Sequence, residues 1–263
     1  MTEGAGCDII FKETSARGKG NEKYMIYEIA DLRIQIKNRC SFTTEFCKGY
    51  LAADQAQPPD LSAAASEQAF SEEKKSCPAY SDGYIENICI YRDLCLRLPR
   101  LERFLLHAAV LDYKGEGYAF LGRSGAGKST HTGLWLKYLP KAKILNGDKP
   151  IVARTESGFY AYGTPWMGKE GRGEKGRAPL KGLCFLEQAK ENSLVRLSEG
   201  EVASRIFTQL LLPTDEENAA KTLELADALI SAVPAYLLKC TISEEAVKLS
   251  FEALTGKSYE REI

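Results

Sequence analysis

Gly122, Gly125 and Gly127 fall within six residues of one another in the run Gly-Arg-Ser-Gly-Ala-Gly-Lys-Ser, residues 122–129. Before the run, Gly117-Tyr-Ala-Phe-Leu-Gly122 reads as a short buried strand; after it, Lys128–Tyr138 reads as a helix. A strand passing into a helix through GxxxxGK[ST] confines the chain to an α/β arrangement. At ordinary residue frequencies such a pattern arises by accident in roughly one chain of this length in a hundred. The correct flanks lower that chance further.

The glycines have a mechanical task. Gly122, Gly125 and Gly127 let the backbone turn sharply and bring its N–H groups against phosphate oxygens, where side chains would collide. Arg123, Ser124 and Ala126 complete the loop, and the helix beginning with Lys128, Ser129 and Thr130 points its positive end at the same anion. Lys128 is placed to reach terminal phosphates as a point charge, and the Ser129 hydroxyl to ligate an accompanying magnesium. The alternative is a glycine-rich turn beside an exposed lysine. The expected binding set is therefore Gly122 to Thr130, with ATP and Mg2+ as cofactors.

At 263 residues with 44% hydrophobic content, the chain is long enough for one large domain or two small ones. Thirty-five basic against 36 acidic residues give a formal charge of -1, so no overall charge favours nucleic acid or an anionic membrane. The start has no basic segment leading into an apolar one, and no apolar run of about 18 residues occurs. A soluble cytoplasmic protein is expected. Cys7, Cys40, Cys47, Cys77, Cys89, Cys95, Cys184 and Cys240 are scattered without metal spacing and read as reduced packing cysteines. The two histidines, His107 and His131, are too few for a histidine-rich metal site.

Residues 1–22 read as a loose polar arm, and Leu32, Ile34 and Ile36 as a strand in a hairpin around Ala30-Asp31. Asp60 is placed to cap a mostly exposed helix within Gln55–Cys77, and Tyr84–Leu98 begins as a strand before becoming ambiguous. Strands are expected over Phe104–Asp112, Tyr118–Leu121 and Ala142–Asn146, with a hairpin over Ile151–Tyr162 turning at Glu156-Ser-Gly158. Gly163, Gly168, Gly171, Gly173 and Gly176 mark a long, flexible, charged loop over 163–179. Gly182–Leu186 and Tyr236–Lys239 read as strands. Helices are expected from the Ser198/Glu201 capping box to Leu212, from Thr214 to Val233, and from Ser243 to Gly256. The whole reads as one mixed-sheet α/β domain. Its first part, 1–98, is expected to be β-rich with a largely antiparallel sheet, and 99–263 to bind the nucleotide.

A phosphate loop needs a second carboxylate for magnesium, normally at the end of the next strand. Asp148, closing Lys143-Ile-Leu-Asn-Gly-Asp, fits that duty; it also fits a plain turn aspartate ahead of Pro150. The segment from His107 to Ser129, with Ile-Leu-Asn-Gly-Asp148 and Tyr162-Gly-Thr-Pro-Trp166, resembles the HPr kinase/phosphorylase and ATP-dependent phosphoenolpyruvate carboxykinase superfamily. More narrowly it is similar to bacterial HPr-kinase-like, carboxykinase-like proteins, over roughly residues 100–190. The resemblance implies an atypical P-loop fold and transfer of phosphate from ATP or a related donor. It implies that His107 lies near the reacting phosphate and that Asp148 serves the metal; His107 also reads as a core histidine. His131, on the exposed side of the loop helix, reads as inert.

The chain departs from that family where two adjacent aspartates are usual, because Gly147 and Lys149 flank Asp148. A glycine accepts no proton, so Asp148, His107 or Glu170 must supply a base, or transfer is poor. Trp166 reads as the anchor of a lid, with Lys169, Glu170, Arg172, Lys175 and Arg177 as lid or substrate candidates. The leading expectation is a kinase acting on a hydroxyl of a small molecule, peptide or protein, as a monomer or homo-oligomer. A carboxykinase activity and a non-catalytic ATP sensor are the rivals. The absence of NKxD and LSGGQ-like segments disfavours a GTPase and a transporter ATPase.

Overall fold

The computed structural model describes residues 23–168 and 170–260. The arm expected at 1–22, with Cys7, and the lid candidate Lys169 lie outside the described residues. Alternating apolar residues open the fold. β1 (Lys23–Ile29) and β2 (Leu32–Asn38) pair antiparallel across Ala30 and Asp31, both at positive φ, as the sequence predicts. After α1 (Ser41–Phe46), β3 (Leu61–Ala64) joins β2 in parallel, so this small sheet is only partly antiparallel.

Asp60 does not cap a helix. Its carboxylate accepts from the Arg33 N–H at 2.7 Å beside β3, and Ser66, accepting from the Ala69 N–H at 3.1 Å, opens the exposed helix α2 (Glu67–Ser76). The strand expected from Tyr84 is instead the helix α3 (Asp82–Arg97), capped by Ser81. The Ile88-Cys-Ile90 stretch imitates alternation, but Ile90, Tyr91, Leu94, Cys95 and Leu98 share one buried stripe at helical spacing. Among the described residues from 23 to 98 there are thus three α-helices beside three short strands.

The second half follows its local signals more closely. β4 (Arg103–Leu105), β5 (Ala108–Tyr113) and β6 (Glu116–Leu121) lead through the glycine run into α4 (Lys128–Tyr138). Next come β7 (Ala142–Asn146) and the hairpin β8 (Ile151–Thr155) and β9 (Gly158–Tyr162). β10 (Arg177–Gln188) starts earlier than Gly182, and β11 (Ser193–Arg196) has no strong sequence signal. The Ser198/Glu201 box does open α5 (Glu199–Ile206), but the helix stops short of Leu212, because Leu210 bridges to Leu106. α6 (Glu216–Ala232), β12 (Ala235–Cys240) and α7 (Glu244–Thr255), ended by Gly256 at φ 66°, complete the chain.

Nine strands form one curled mixed sheet in the order β4-β8-β9-β10-β6-β5-β7, with β12 on β10 and β11 on β12. β10 makes the curl. Its Arg177–Pro179 end pairs antiparallel with β9, whereas Leu183–Gln188 runs parallel to β12 while Leu180–Phe185 runs parallel to β6.

β6 is covered on both faces. Tyr118 and Phe120 pack with Trp135 of α4 and Phe251 of α7, while Ala119 and Leu121 face Val202, Ile206, Leu225 and Leu229 of α5 and α6. Double burial is why its sequence is a continuous apolar run. Each large side chain so buried contributes about 1.5–3 kcal/mol. A third cluster joins the small sheet and α3 to the main sheet, with Ile34, Ile90 and Leu94 against Ile151, Tyr162 and Trp166. No disulfide joins the described cysteines, and burial pushes the Cys47 and Cys95 thiols up to about 12, so both are inert packing groups. No helix among the described residues is long and apolar enough to cross a membrane.

Candidate functional site

The site grows from the C-terminal end of β6. Gly122, Gly125 and Gly127 adopt φ of 148°, 80° and 102°. A Cβ at Gly122 would stand 2.9 Å from Ala126 Cβ and 3.1 Å from the Leu186 carbonyl, so only glycine passes between β6 and β10 there. At Gly125 and Gly127 nothing lies within 4 Å of such a Cβ; their need is conformational, and the space in front of the loop is open. The Ala126 N–H donates to the Arg123 carbonyl at 3.0 Å, and the Gln188 amide donates to the Gly125 carbonyl at 2.7 Å. No side chain caps the N-terminus of α4, where Ser129 and Thr130 are exposed, as are Arg123 and Ser124 on the loop. Open N–H groups at a helix start suit an anion.

Lys128 is nearly buried and donates from Nζ to the Gly122 carbonyl at 2.8 Å. Burial lowers its pKa, Asp148 pulls it back up, and Lys149 pushes it down again. These causes place Asp148 and Lys149 within electrostatic reach of the loop lysine.

Asp148 is held from several sides. Asn146, fully buried at the end of β7, accepts at Oδ1 from the Asp148 N–H at 2.9 Å and the Lys149 N–H at 2.7 Å. Its amide donates to Thr164 Oγ1 at 3.0 Å, and the Thr164 hydroxyl donates to the Lys149 carbonyl at 2.8 Å. The Asp148 carboxylate faces His107 Nε2 at 3.1 Å on Oδ1 and pairs with the Lys149 ammonium on Oδ2. Burial raises the Asp148 pKa, but the His107 hydrogen bond and the Lys149 charge outweigh it and bring the group down to about 2.

His107 is tied to the glycine run through a residue the sequence did not point to. The His107 N–H donates to the Gln209 carbonyl at 2.8 Å. With the Gln209 amide oriented to satisfy its surroundings, its nitrogen donates to the Gly122 and His107 carbonyls at 3.1 Å each. Its oxygen then accepts from the Thr208 hydroxyl at 2.7 Å. The buried Gln209 thus clamps the start of the loop to His107. Its only local signal is a polar residue in the irregular stretch after α5. Asn146 had a clearer one, since Asn-Gly-Asp favours a side-chain-capped turn.

The loop after β9 is not the free lid expected. Its backbone is bonded to β7 and to itself: Glu174 N–H donates to the Leu145 carbonyl at 3.2 Å, and Gly163 N–H to the Gly176 carbonyl at 3.0 Å. Trp166 does sit at its base, buried and packed 4.9 Å from the Tyr91 ring. Glu170 and Arg172 are exposed and pair with each other at 3.4 Å. Lys175 pairs with Glu28 at 3.2 Å, and Arg177 pairs with Asp31; both charges are directed to the β1–β2 hairpin. Of the candidate residues, His107, Lys128 and Asp148 form one electrostatic group, and Arg177 is not brought to it.

His131 also departs from expectation. It is buried rather than on an exposed face, with Nε2 3.0 Å from Ser250 Oγ and its ring 5.0 Å from Phe120. Burial lowers its pKa to about 4, so it is a neutral core histidine at pH 7.

The fold and site together define a mixed α/β protein with a glycine loop between a central strand and a helix, facing a histidine–aspartate–lysine group. No family model matches the chain, and no curated protein matches it. Among solved structures, it is similar to the HPr(Ser) kinase/phosphatase from Coxiella burnetii at 11% identity, with 58% of this chain and 88% of that chain covered. The TM-score is 0.31, too low to weigh in any conclusion about this chain.

Proposed function

We propose that the chain is an ATP- and magnesium-dependent phosphotransferase of the HPr-kinase-like kind, moving the γ-phosphate to a hydroxyl of a small molecule, peptide or protein. The observation that carries this reading is the convergence of the open glycine loop, Lys128, Asp148 and His107, with the turn that holds Asp148 fixed by the buried Asn146 and Thr164. Gly122 to Thr130 hold the phosphates through N–H groups and the α4 N-terminus. Lys128 leaves the Gly122 carbonyl for the terminal phosphates.

Magnesium travelling with a nucleotide needs only one or two protein oxygens and keeps several waters. Ser129, exposed on the first turn of α4, and Asp148, ionised throughout the physiological range, fit that requirement. Among the described residues no group of three or more His, Cys, Asp or Glu is placed to hold a metal ion. When bound, the cation offsets negative charge on the transferring phosphate.

Asp148 is a poor proton acceptor, since its carboxyl is drawn down to about 2. Glu170 is exposed and engaged with Arg172. His107 is the better base: Asp148 orients its ring through Nε2 and stabilises the imidazolium formed when the acceptor hydroxyl gives up its proton. Gln209 fixes the main chain of that histidine relative to the loop.

Transfer of labelled γ-phosphate from ATP into pooled metabolites and cell-extract proteins, run beside Lys128→Ala, tests the reading. Label that moves with the wild type and not with the mutant supports a kinase and reveals its acceptor. One observation favours the rival, a non-catalytic ATP sensor. The Met167 and Arg172 carbonyls lie 2.9 and 3.1 Å from where a Gly147 Cβ would stand, so the first carboxylate of the family's pair has no room. ATP binding without label in any pool decides for the sensor.

A further inference from the structure

We propose that Lys149 is a second phosphate-facing cation of this site, parked on Asp148 until a metal–nucleotide complex takes that carboxylate and releases the ammonium to the phosphates. This rests on the ATP–magnesium reading above.

The side chain is built as an arm on a fixed pivot. Its N–H donates to Asn146 Oδ1 at 2.7 Å, and its carbonyl accepts from Thr164 Oγ1 at 2.8 Å; both partner side chains are fully buried. Beyond that anchor the four-carbon stem is partly exposed, its Nζ on Asp148 Oδ2 and 5.9 Å from the centre of the Tyr91 ring. The Ala108 N–H donates to the Asp148 carbonyl at 3.1 Å and Ala108 pairs with Leu121, so the turn that carries Lys149 lies beside the start of the glycine loop.

Charge balance supplies the driving force. Asn146-Gly147-Asp148-Lys149 carries one carboxylate and one ammonium, a neutral turn, and the close approach of Met167 and Arg172 keeps a second carboxylate out of position 147. With Oδ1 facing His107 and Oδ2 paired with Lys149, the Lys149 ammonium would compete with a dication for Asp148 and be repelled by it. The anion that arrives with the dication is the phosphate chain held by the loop. One ion pair breaks, one metal–carboxylate bond and one ammonium–phosphate pair form, and no proton moves. Lys149 also accounts for the neutral turn: it competes with free metal and rewards metal that comes with phosphate.

Calorimetric titration of the full chain with Mn2+ alone and with MgATP, on wild type, Lys149→Ala, Lys149→Arg and Lys128→Ala, tests this. Lys149→Ala should bind Mn2+ alone about tenfold more tightly and MgATP about tenfold more weakly. Lys149→Arg should recover MgATP binding to within about threefold while keeping Mn2+ binding weak. A merely structural lysine would move both affinities the same way. Lys128-dependent MgATP binding that Lys149→Ala leaves unchanged, or Mn2+ binding that it does not tighten, overturns the assignment alone. Wild type that fails to bind MgATP, or binds it equally well as Lys128→Ala, overturns the nucleotide reading and this assignment with it.

Discussion

The two glycine loops of this molecule use the same residue for opposite ends. In the loop between β6 and α4, Gly125 and Gly127 have positive φ and empty space where a side chain would go. In the loop after β9, a Cβ at Gly163 would fall 1.9 Å from the Glu174 carbonyl, and one at Gly173 would fall 3.0 Å from the Leu145 carbonyl. At Gly125 and Gly127 the first loop uses glycine to bend; at Gly163 and Gly173 the second uses it to let backbones touch. Bending leaves open space at Gly125 and Gly127 for a ligand, whereas touching spends the surface on packing against β7.

The sharpest way to break this comparison is Gly163→Ala. With backbone on both sides and no room to move, it should cost about 3 kcal/mol or more and leave little folded protein, read from urea unfolding. A mild effect would mean that the second loop is as loose as its composition suggests.

The two regions should also part company in acid. His131 lies on the buried face of α4, and its folded pKa of about 4 is below the ordinary histidine value. The unfolded chain therefore takes up a proton first. The stability tied to the neutral ring is complete above about pH 6.5 and is lost progressively toward pH 4, by about 3 kcal/mol. Asp148, on the floor of the second loop, is also depressed, to about 2. Its contribution is present above the ordinary aspartate pKa and is lost only as pH falls through about 2. Unfolding measured from pH 7 to 4 should show a slope that His131→Phe removes and Asp148→Asn leaves in place.

Gly147→Asp tests whether the second loop dictates the departure from the paired aspartates. The added Cβ meets two carbonyls at 2.9 and 3.1 Å, so stability should drop by about 1–3 kcal/mol, and phosphate transfer should not improve. A stable variant with raised transfer would show that the loop yields and that the missing carboxylate limits the reaction.

What was legible in the sequence was what local chemistry decides. The glycine run, α4, β7, the hairpin turning at Glu156-Ser-Gly158 and the Ser198/Glu201 box each carry their signal within a few residues. α3 looks like a strand in sequence because Ile88 and Ile90 alternate around Cys89, while the stripe that wins becomes evident only against the small sheet and Trp166. β11 is a mostly exposed edge strand and has little pattern to offer. In the site, His107, Lys128 and Asp148 could be named singly, but the His107–Asp148 contact and the Gln209 clamp join residues 41 and 102 positions apart (148 − 107 and 209 − 107). Likewise, composition could not tell a bending glycine from a touching one.

Gly125→Ala is the gentler counterpart of Gly163→Ala. Its Cβ meets nothing within 4 Å, so the cost is the left-handed φ of 80° alone, about 1 kcal/mol, and the protein should remain folded. Relief of that strain shifts the loop N–H groups, so MgATP binding should weaken by more than the stability loss accounts for.

Arg177→Ala should have the smallest effect. The guanidinium pairs with Asp31 and stands 5.4 Å from the Tyr160 ring, exposed and on the hairpin side of the second loop. Surface pairs of this kind contribute little, so the melting temperature should stay within about 2 °C of wild type. MgATP affinity should not change, because the charge is committed away from the glycine loop. A marked loss of nucleotide binding on Arg177→Ala would mean that the second loop reopens when ligand arrives and swings its cations across, which would turn the touching glycines into a latch.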